Sequence, residues 1–422
     1  MEIDSGNTAW VLASSALVLF MIPGLAFFYA GMVRSKNVLG MLMQNFFAMG
    51  LVSVLWALFV FSLAFGDGGK FIGNFDFIGL KGLGGAEPMA IPGLDGITVP
   101  PLAFVAFQMM FAVITPALIT GASADRLKFS AYVVFIGVWV VVCYAPVAHW
   151  VFSPTGWLFD LGALDFAGGT VVHINAGVAA LALILVLGKR RGWPGVPMLP
   201  HALPWTLLGA GILWFGWFGF NAGSALGGDG VAAQAFMNTQ LAAAAAMCGW
   251  LLVERIKGGH ATTLGAASGL VAGLVAITPC AGLVGGVAPI IIGFVTGGVC
   301  YLAIQLKFKF GFDDSLDVIA VHLVGGLMGS LLLGLFADTG ANAAGADGLF
   351  FGGGAELLGK QVIAVAATMV WSFVLSFGIA KAIDATMGLR VSEDEEAEGL
   401  DISQHAEAAY SGDVGSMERV TR

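Results

Sequence analysis

Eleven stretches of this sequence are long and apolar enough to cross a hydrocarbon layer as helices, which takes about 20 residues each. They run at roughly 8–33, 41–65, 101–123, 129–150, 168–188, 204–224, 231–254, 262–279, 284–306, 317–337 and 357–387. No water reaches a backbone in hydrocarbon, so each stretch must pair its own N–H and C=O groups, and the helix does this within one segment. Composition closes the other options. Of 422 residues, 58% are hydrophobic and 11% charged, with a mean hydropathy of +0.90; a soluble domain carries about 25% charged residues. A large soluble enzyme, a nucleic-acid-binding protein, a disordered chain and a secreted disulfide scaffold are excluded. The expected fold is an all-α polytopic membrane protein of eleven transmembrane helices, its 62 glycines suited to close helix contacts.

The N-terminus, Met-Glu-Ile-Asp-Ser-Gly-Asn-Thr, lacks the basic region of a cleavable signal, so the first stretch is expected to span. The longest loop, about 66–100, is Gly-rich and outside the apolar pattern. Cys143, Cys248, Cys280 and Cys300 lie in apolar segments without metal-type spacing and read as reduced packing residues.

Lys and Arg accumulate on the cytoplasmic side of membrane proteins. Here 15 of 18 basic residues follow odd-numbered helices, among them Arg34, Arg126, Arg190, Arg255, Lys307 and Arg390; only Lys70, Lys81 and Lys360 lie on the other side. The N-terminus is therefore expected outside and the C-terminus in the cytoplasm. The net charge of −9 is concentrated late: from Val391 onward nine acidic residues face two basic ones, leaving −2 for the body. The expected division is a transmembrane domain over 1–388 and an acidic cytoplasmic tail over 389–422, either solvated or an interaction tail.

An odd helix count permits two five-helix blocks of opposite topology, helices 1–5 and 6–10, with a long helix 11 left over. Transporters built from inverted repeats bind substrate between the repeats near the midplane. His173 in the fifth helix and His322 in the tenth occupy corresponding places, each with glycines nearby. The other histidines do not: His149 is near the end of the fourth helix, and His201, His260 and His405 lie in loops or tail. Ionisable residues within spans are costly, about 2.5–3.5 kcal/mol for a charge at the centre. A lone buried His is ordinarily a hydrogen-bonded packing residue; a matched pair reads as functional. Zinc needs at least three protein ligands, so no metal site or other cofactor is expected. Burial disfavours the imidazolium, and two neutral rings can share one N–H···N bond while offering an outer position each to a small polar solute or a proton.

Asp165 lies eight residues before His173, about 12 Å away if the chain is helical throughout. It reads both as an N-cap and as an attractor for cations. Ala106-Phe107-Gln108-Met109-Met110-Phe111 and Trp217-Phe218-Gly219-Phe220-Asn221-Ala222-Gly223-Ser224 place aromatic rings, an amide and a hydroxyl at the outer ends of helices 3 and 6. Aromatic faces attract a small cation by about 0.5–2 kcal/mol, and a ring can plug a narrow pore.

These segments resemble the ammonium transporter family (Amt/Mep/Rh), on its bacterial and archaeal Amt side. The resemblance rests on Ala167-Gly168-Gly169-Thr170-Val171-Val172-His173-Ile174-Asn175-Ala176-Gly177, Phe218 through Ser224, Asp313-Asp314-Ser315-Leu316-Asp317 with His322, and Gly388-Leu389-Arg390-Val391 through Glu398-Gly399-Leu400-Asp401, and it extends over about residues 8–410. It implies a homotrimer in the cell membrane with one pore per subunit and ammonium or ammonia as the transported species. In that reading His173 and His322 line the pore, Phe111 and Phe220 form a phenyl gate, Asp165 helps recruit and deprotonate the ion, and Ser224 binds it in an outer vestibule with Trp217 in support. Phe152, in Ala148-His149-Trp150-Val151-Phe152, stands where the family often has a cage Trp, with Trp150 and Trp157 as substitutes. The tail would influence gating and offer a surface to a PII-type signal protein; Ala406 stands where many relatives carry Gly.

Physical chemistry agrees with that substrate. Ammonium resembles potassium in size and charge but can shed a proton, and an apolar pore penalises any full charge. Neutral ammonia would pass while the proton travels separately along the imidazoles. The alternatives are an ammonium-sensing receptor, which the short tail of about 35 residues disfavours, an electroneutral gas channel, which Asp165 and Ser224 disfavour, and an intramembrane hydrolase, for which no activated nucleophile is evident.

Overall fold

The computed structural model describes residues 2–85, 91–94 and 96–410, and among these no strand is formed beyond one isolated bridge, Leu127 to Arg390. Among the described residues ten helices are long and apolar enough to cross a membrane: α1 (Ser5–Met32), α2 (Ser35–Phe65), α3 (Pro101–Ser123), α4 (Phe129–Leu161), α5 (Gly169–Leu187), α6 (Leu203–Ala225), α7 (Gly230–Gly258), α9 (Ala288–Phe310), α10 (Ile319–Phe336) and α11 (Glu356–Met387). Between α7 and α9 lies a shorter apolar helix, α8 (Thr263–Ile277), so all eleven expected segments are helical. The ninth begins later than expected because Pro289 fits the first turn of a helix and not the turn before it.

Local signals account for the starts. Asp4 accepts from the Asn7 N–H at 2.7 Å, Asp229 from Val231 and Ala232, each at 2.9 Å, and Thr262 from Gly265 at 2.9 Å, satisfying donors that a helix start leaves free.

Packing repeats with opposite topology. α1 packs on α6 and α5 on α10, and each pairing in the first half recurs in the second: α1 with α3 as α6 with α8, α2 with α4 as α7 with α9, α3 with α5 as α8 with α10. α11 stands outside the repeat and covers α5. Without water to drive burial, helices in lipid associate by close approach of small residues. At Gly297 of α9 an added Cβ would lie 2.1 Å from the Ala246 carbonyl oxygen of α7.

At the end of the molecule carrying the basic loops, the chain after α11 turns back and docks. Two short helices, α12 (Glu393–Glu398) and α13 (Leu400–His405), lie against those loops. Arg390 donates to Glu396 at 2.6 Å, the Arg191 N–H donates to Glu396 at 2.8 Å, and the Leu400 N–H donates to Asn37 at 2.8 Å. Glu396 and Asp401 are buried. Within 389–410 two carboxylates leave solvent, Glu396 accepting from the Arg191 N–H at 2.8 Å and Asp401 from the Gly40 N–H at 2.8 Å, while Glu393, Asp394, Glu398 and Glu407 stay exposed. Asp413, Glu418, Arg419 and Arg422 lie outside the described residues.

Candidate functional site

The approach to α5 sets the geometry. A continuous helix from Asp165 to His173 is not what forms: Gly168 sits at φ 115°, a left-handed conformation that glycine takes without steric cost. The turn folds Asp165 back over the helix start. Its carboxylate accepts from the N–H groups of Gly168 (2.8 Å), Gly169 (2.6 Å) and Thr170 (2.8 Å), and from the Thr170 hydroxyl. Burial pushes this carboxyl above its ordinary range, against the pull of those donors. After the turn the first residues of α5, Gly169–Ile174, form a π-helical turn that holds His173.

α10 begins the same way at the opposite end of the molecule. Asp314 accepts from the N–H groups of Val318 (3.1 Å) and Ile319 (2.7 Å), and the π-helical turn Ile319–Val324 holds His322. Both carboxylates precede their histidine by eight residues. Asp314 lies in a quoted motif, but its capping role was not read from the sequence; the shared spacing was the available signal.

Asp165 lines a vestibule of about 260 Å³ together with Gln108 and Phe111 of α3, Phe152 of α4 and Ser224 of α6. The Ser224 hydroxyl donates to the Phe220 carbonyl at 2.9 Å, which leaves its oxygen lone pairs free. Phe152 meets Phe111 edge-on at 6.5 Å between ring centroids. Neither tryptophan suggested as its substitute lines this cavity. Trp150 donates to the Phe71 carbonyl at 2.7 Å and packs on Trp157 at 5.8 Å and Trp371 at 5.2 Å.

Phe111 and Phe220 close the vestibule floor. Their centroids are 4.4 Å apart and their planes tilted by 46°; both rings are buried. Beneath them His173 stacks at 6.0 Å on Phe220, 5.4 Å on Trp217 and 5.4 Å on His322. Trp217 is anchored by donating to Thr278 at 2.9 Å. The facing Nδ1 atoms of His173 and His322 are 3.3 Å apart, and the buried His173 Nε2 has no hydrogen-bond partner among the described residues. Apolar side chains including Met21, Leu25, Leu213 and Val271 wall the rings, leaving a cavity of about 10 Å³, room for roughly one water-sized molecule.

The structure thus brings the eight residues singled out in the sequence into contiguous contact: Asp165, Ser224, Phe152 and Phe111 line the vestibule, Phe111 meets Phe220, and Phe220, Trp217, His173 and His322 line the cavity beyond. His149 and His201 are engaged elsewhere. His149 pairs with the carbonyls of Ala64 and Gly69, and His201 with the Val33 carbonyl and the Tyr410 hydroxyl. Gln108 was quoted within its segment but not singled out; it shares a helix face with Phe104 and Phe111 through spacings of four and three.

Comparison with known proteins gives one consistent result. The profile of the Ammonium Transporter Family matches residues 9–410. An ammonium transporter of Mycobacterium tuberculosis is 54% identical, covering 98% of this chain and 92% of that protein. The crystal structure of Candida albicans Mep2 superposes with a TM-score of 0.87 at 37% identity, over 98% of this chain and 92% of that one. A solved sensor Amt protein superposes with a TM-score of 0.85 at 30% identity, over 95% and 98%.

Proposed function

This chain belongs to the ammonium transporter family, a family of transporters rather than enzymes, and spans the membrane many times; from that premise we propose that it recruits the ammonium ion at an outer vestibule and passes neutral ammonia through the His173–His322 pore. The observation that carries the reading is the pair of imidazoles 3.3 Å apart in an apolar passage of about 10 Å³, directly beneath a phenyl pair. Such a passage has no ligands to replace the hydration of a full charge, and desolvating a charge without partners is prohibitive. Ammonia needs only a few hydrogen bonds, and the outer nitrogens of the rings supply them.

Asp165 acts through its field. Its oxygens are filled by backbone donors and Thr170, so it stabilises a cation at the mouth while fixing the start of α5. Ser224 and the ring of Phe152 bind the ion. Phe111 and Phe220 admit it only as it sheds water and a proton, and Trp217 holds His173 in line. The proton crosses separately along the imidazole pair, which makes transport electrogenic. Potassium has no proton to lose and stops at the phenyl pair.

The basic loops set the orientation, with the N-terminus outside and the tail in the cytoplasm. The assembly is a homotrimer with one pore per subunit, and a PII-type signal protein binds at the cytoplasmic face. The tail reaches the pore through a continuous chain of contacts. Glu396 holds the N–H of Arg191, the adjacent Arg190 pairs with Asp313 at 2.8 Å, and the next residue, Asp314, caps α10.

Purified protein in proteoliposomes tests the proposal. Ammonium should evoke a current that potassium does not, and replacing His173 and His322 together with Leu should abolish it. An unchanged current in that double variant refutes the role of the pair. Ammonia flux without current identifies a gas channel, and a ligand-induced change without flux identifies a sensor.

A further inference from the structure

Gln108 is 9% exposed, and its amide makes no hydrogen bond with any described residue. It is not among the unpaired polar atoms sealed inside the protein, and its residue lines the vestibule. The amide therefore meets the cavity. Side-chain amides that leave bulk solvent are nearly always hydrogen-bonded. The Gln108 amide is thus open to whatever enters the vestibule.

The chemistry of a partner for it follows from what else faces the cavity. Asp165 has no free oxygen lone pair to offer, because its donors are the start of α5. Ser224 spends its proton on the Phe220 carbonyl and presents an acceptor. Phe111 and Phe152 present rings. A small cation with several N–H donors and no acceptor suits this set, since it can use an amide oxygen, a hydroxyl oxygen and an aromatic face together.

We propose that Gln108 is a substrate-positioning residue whose amide oxygen accepts an N–H of the incoming ammonium ion, with the Ser224 oxygen as the second acceptor, replacing water the ion loses above the Phe111–Phe220 pair. The inference rests on the vestibule reading given above. Gln108 lies one turn before Phe111 on the same helix face, so an ion it holds stands at the phenyl floor.

The test is the dependence of ammonium-evoked current on ammonium concentration, measured in proteoliposomes for the wild type, Gln108→Met and Gln108→Glu. Met keeps the length of the side chain and removes the acceptor; Glu keeps an acceptor. A hydrogen bond to a charged group predicts that Gln108→Met raises the half-saturating concentration about tenfold, with the maximal current within about twofold of wild type. Gln108→Glu should return half-saturation to within about threefold. Half-saturation unchanged in Gln108→Met overturns the proposal, and so does an equal fall of maximal current in both variants, which marks a structural role. If Gln108→Met does not reach the membrane, Gln108→Asn, which withdraws the acceptor by one methylene, is expected to show the same rise, and its absence is equally decisive. A wild type that carries no ammonium current refutes the vestibule reading itself, and this inference with it.

Discussion

Phe152 concentrates the residue-scale question, because in the proposed function its ring is one of the groups that hold the cation. It lies edge-on to Phe111 in a cavity of about 260 Å³, and its face is a weaker partner for a cation than an indole. Phe152→Trp is therefore expected to lower the half-saturating ammonium concentration by about threefold, read from concentration–current curves; an unchanged or higher value would remove Phe152 from the binding set. Asp165 works at the same scale by a different means. Its carboxylate is committed to three backbone N–H groups and the Thr170 hydroxyl, so the proposed recruitment and the observed helix capping are compatible in one arrangement. Ala406 shows why a position can favour glycine: it sits at φ 55°, which costs an L-residue with a Cβ about 1–2 kcal/mol.

At the scale of elements, two interrupted helices make the site. α5 and α10 each start with a capped turn and a π-helical turn, and the latter widens the backbone where the histidine projects. They can meet because Gly177 lets α10 approach: a Cβ there would lie 2.6 Å from the Leu323 backbone nitrogen, next to His322. The obstacle is backbone, so it cannot swing aside. Gly177→Ala should destabilise the protein by about 1–3 kcal/mol and lower ammonium current at equal membrane expression. Gly378→Ala on α11, where a Cβ would meet nothing within 4 Å, is the control and should do neither. Thermal unfolding in detergent and current per reconstituted protein read the two effects.

At the scale of the whole molecule, the inverted repeat places the histidines between its halves, and the charged end ties loops and tail together. Arg190 donates to Asp313 through Nε (2.9 Å), Nη2 (2.8 Å) and its backbone N–H (2.8 Å), and contacts Asp125 at 3.5 Å, which Arg34 reaches at 3.4 Å. Burial acts to raise the Asp313 carboxyl, but the hydrogen bonds from Arg190 and the charges of Arg126 and Arg190 prevail and hold it below its ordinary value of 3.8. The folded state thus binds this proton less readily than the unfolded chain. The stability gained is fully present above pH 3.8 and is lost as the pH falls through the lower folded value. Asp313→Asn should cost about 3–5 kcal/mol near neutrality, because it leaves Arg190 short of a buried partner. The gap in thermal stability between wild type and variant should narrow below about pH 4; a gap constant with pH would contradict this account of the network.

Sequence by itself determined the membrane class, the eleven helices, the separation of basic loops from the opposite end, and the matched positions of His173 and His322. These follow from segment length, polarity and order along the chain, and the bilayer imposes them on each segment separately. Asp165 was likewise legible as a helix cap because capping is local, whereas the Gly168 turn and the Thr170 contact were not read. Tertiary structure decided what depends on segments far apart in sequence. It brought the Nδ1 atoms of two residues 149 positions apart to 3.3 Å, turned Phe152 rather than Trp150 toward the vestibule, and left the Gln108 amide facing a cavity instead of a partner. It also buried Glu396 and Asp401 against the N–H groups of Arg191 and Gly40, more than 200 residues away in the chain, where the sequence shows only a run of acidic residues. Composition states how much charge a tail carries; only the packed molecule supplies the cations and N–H groups that decide whether water or protein surrounds it.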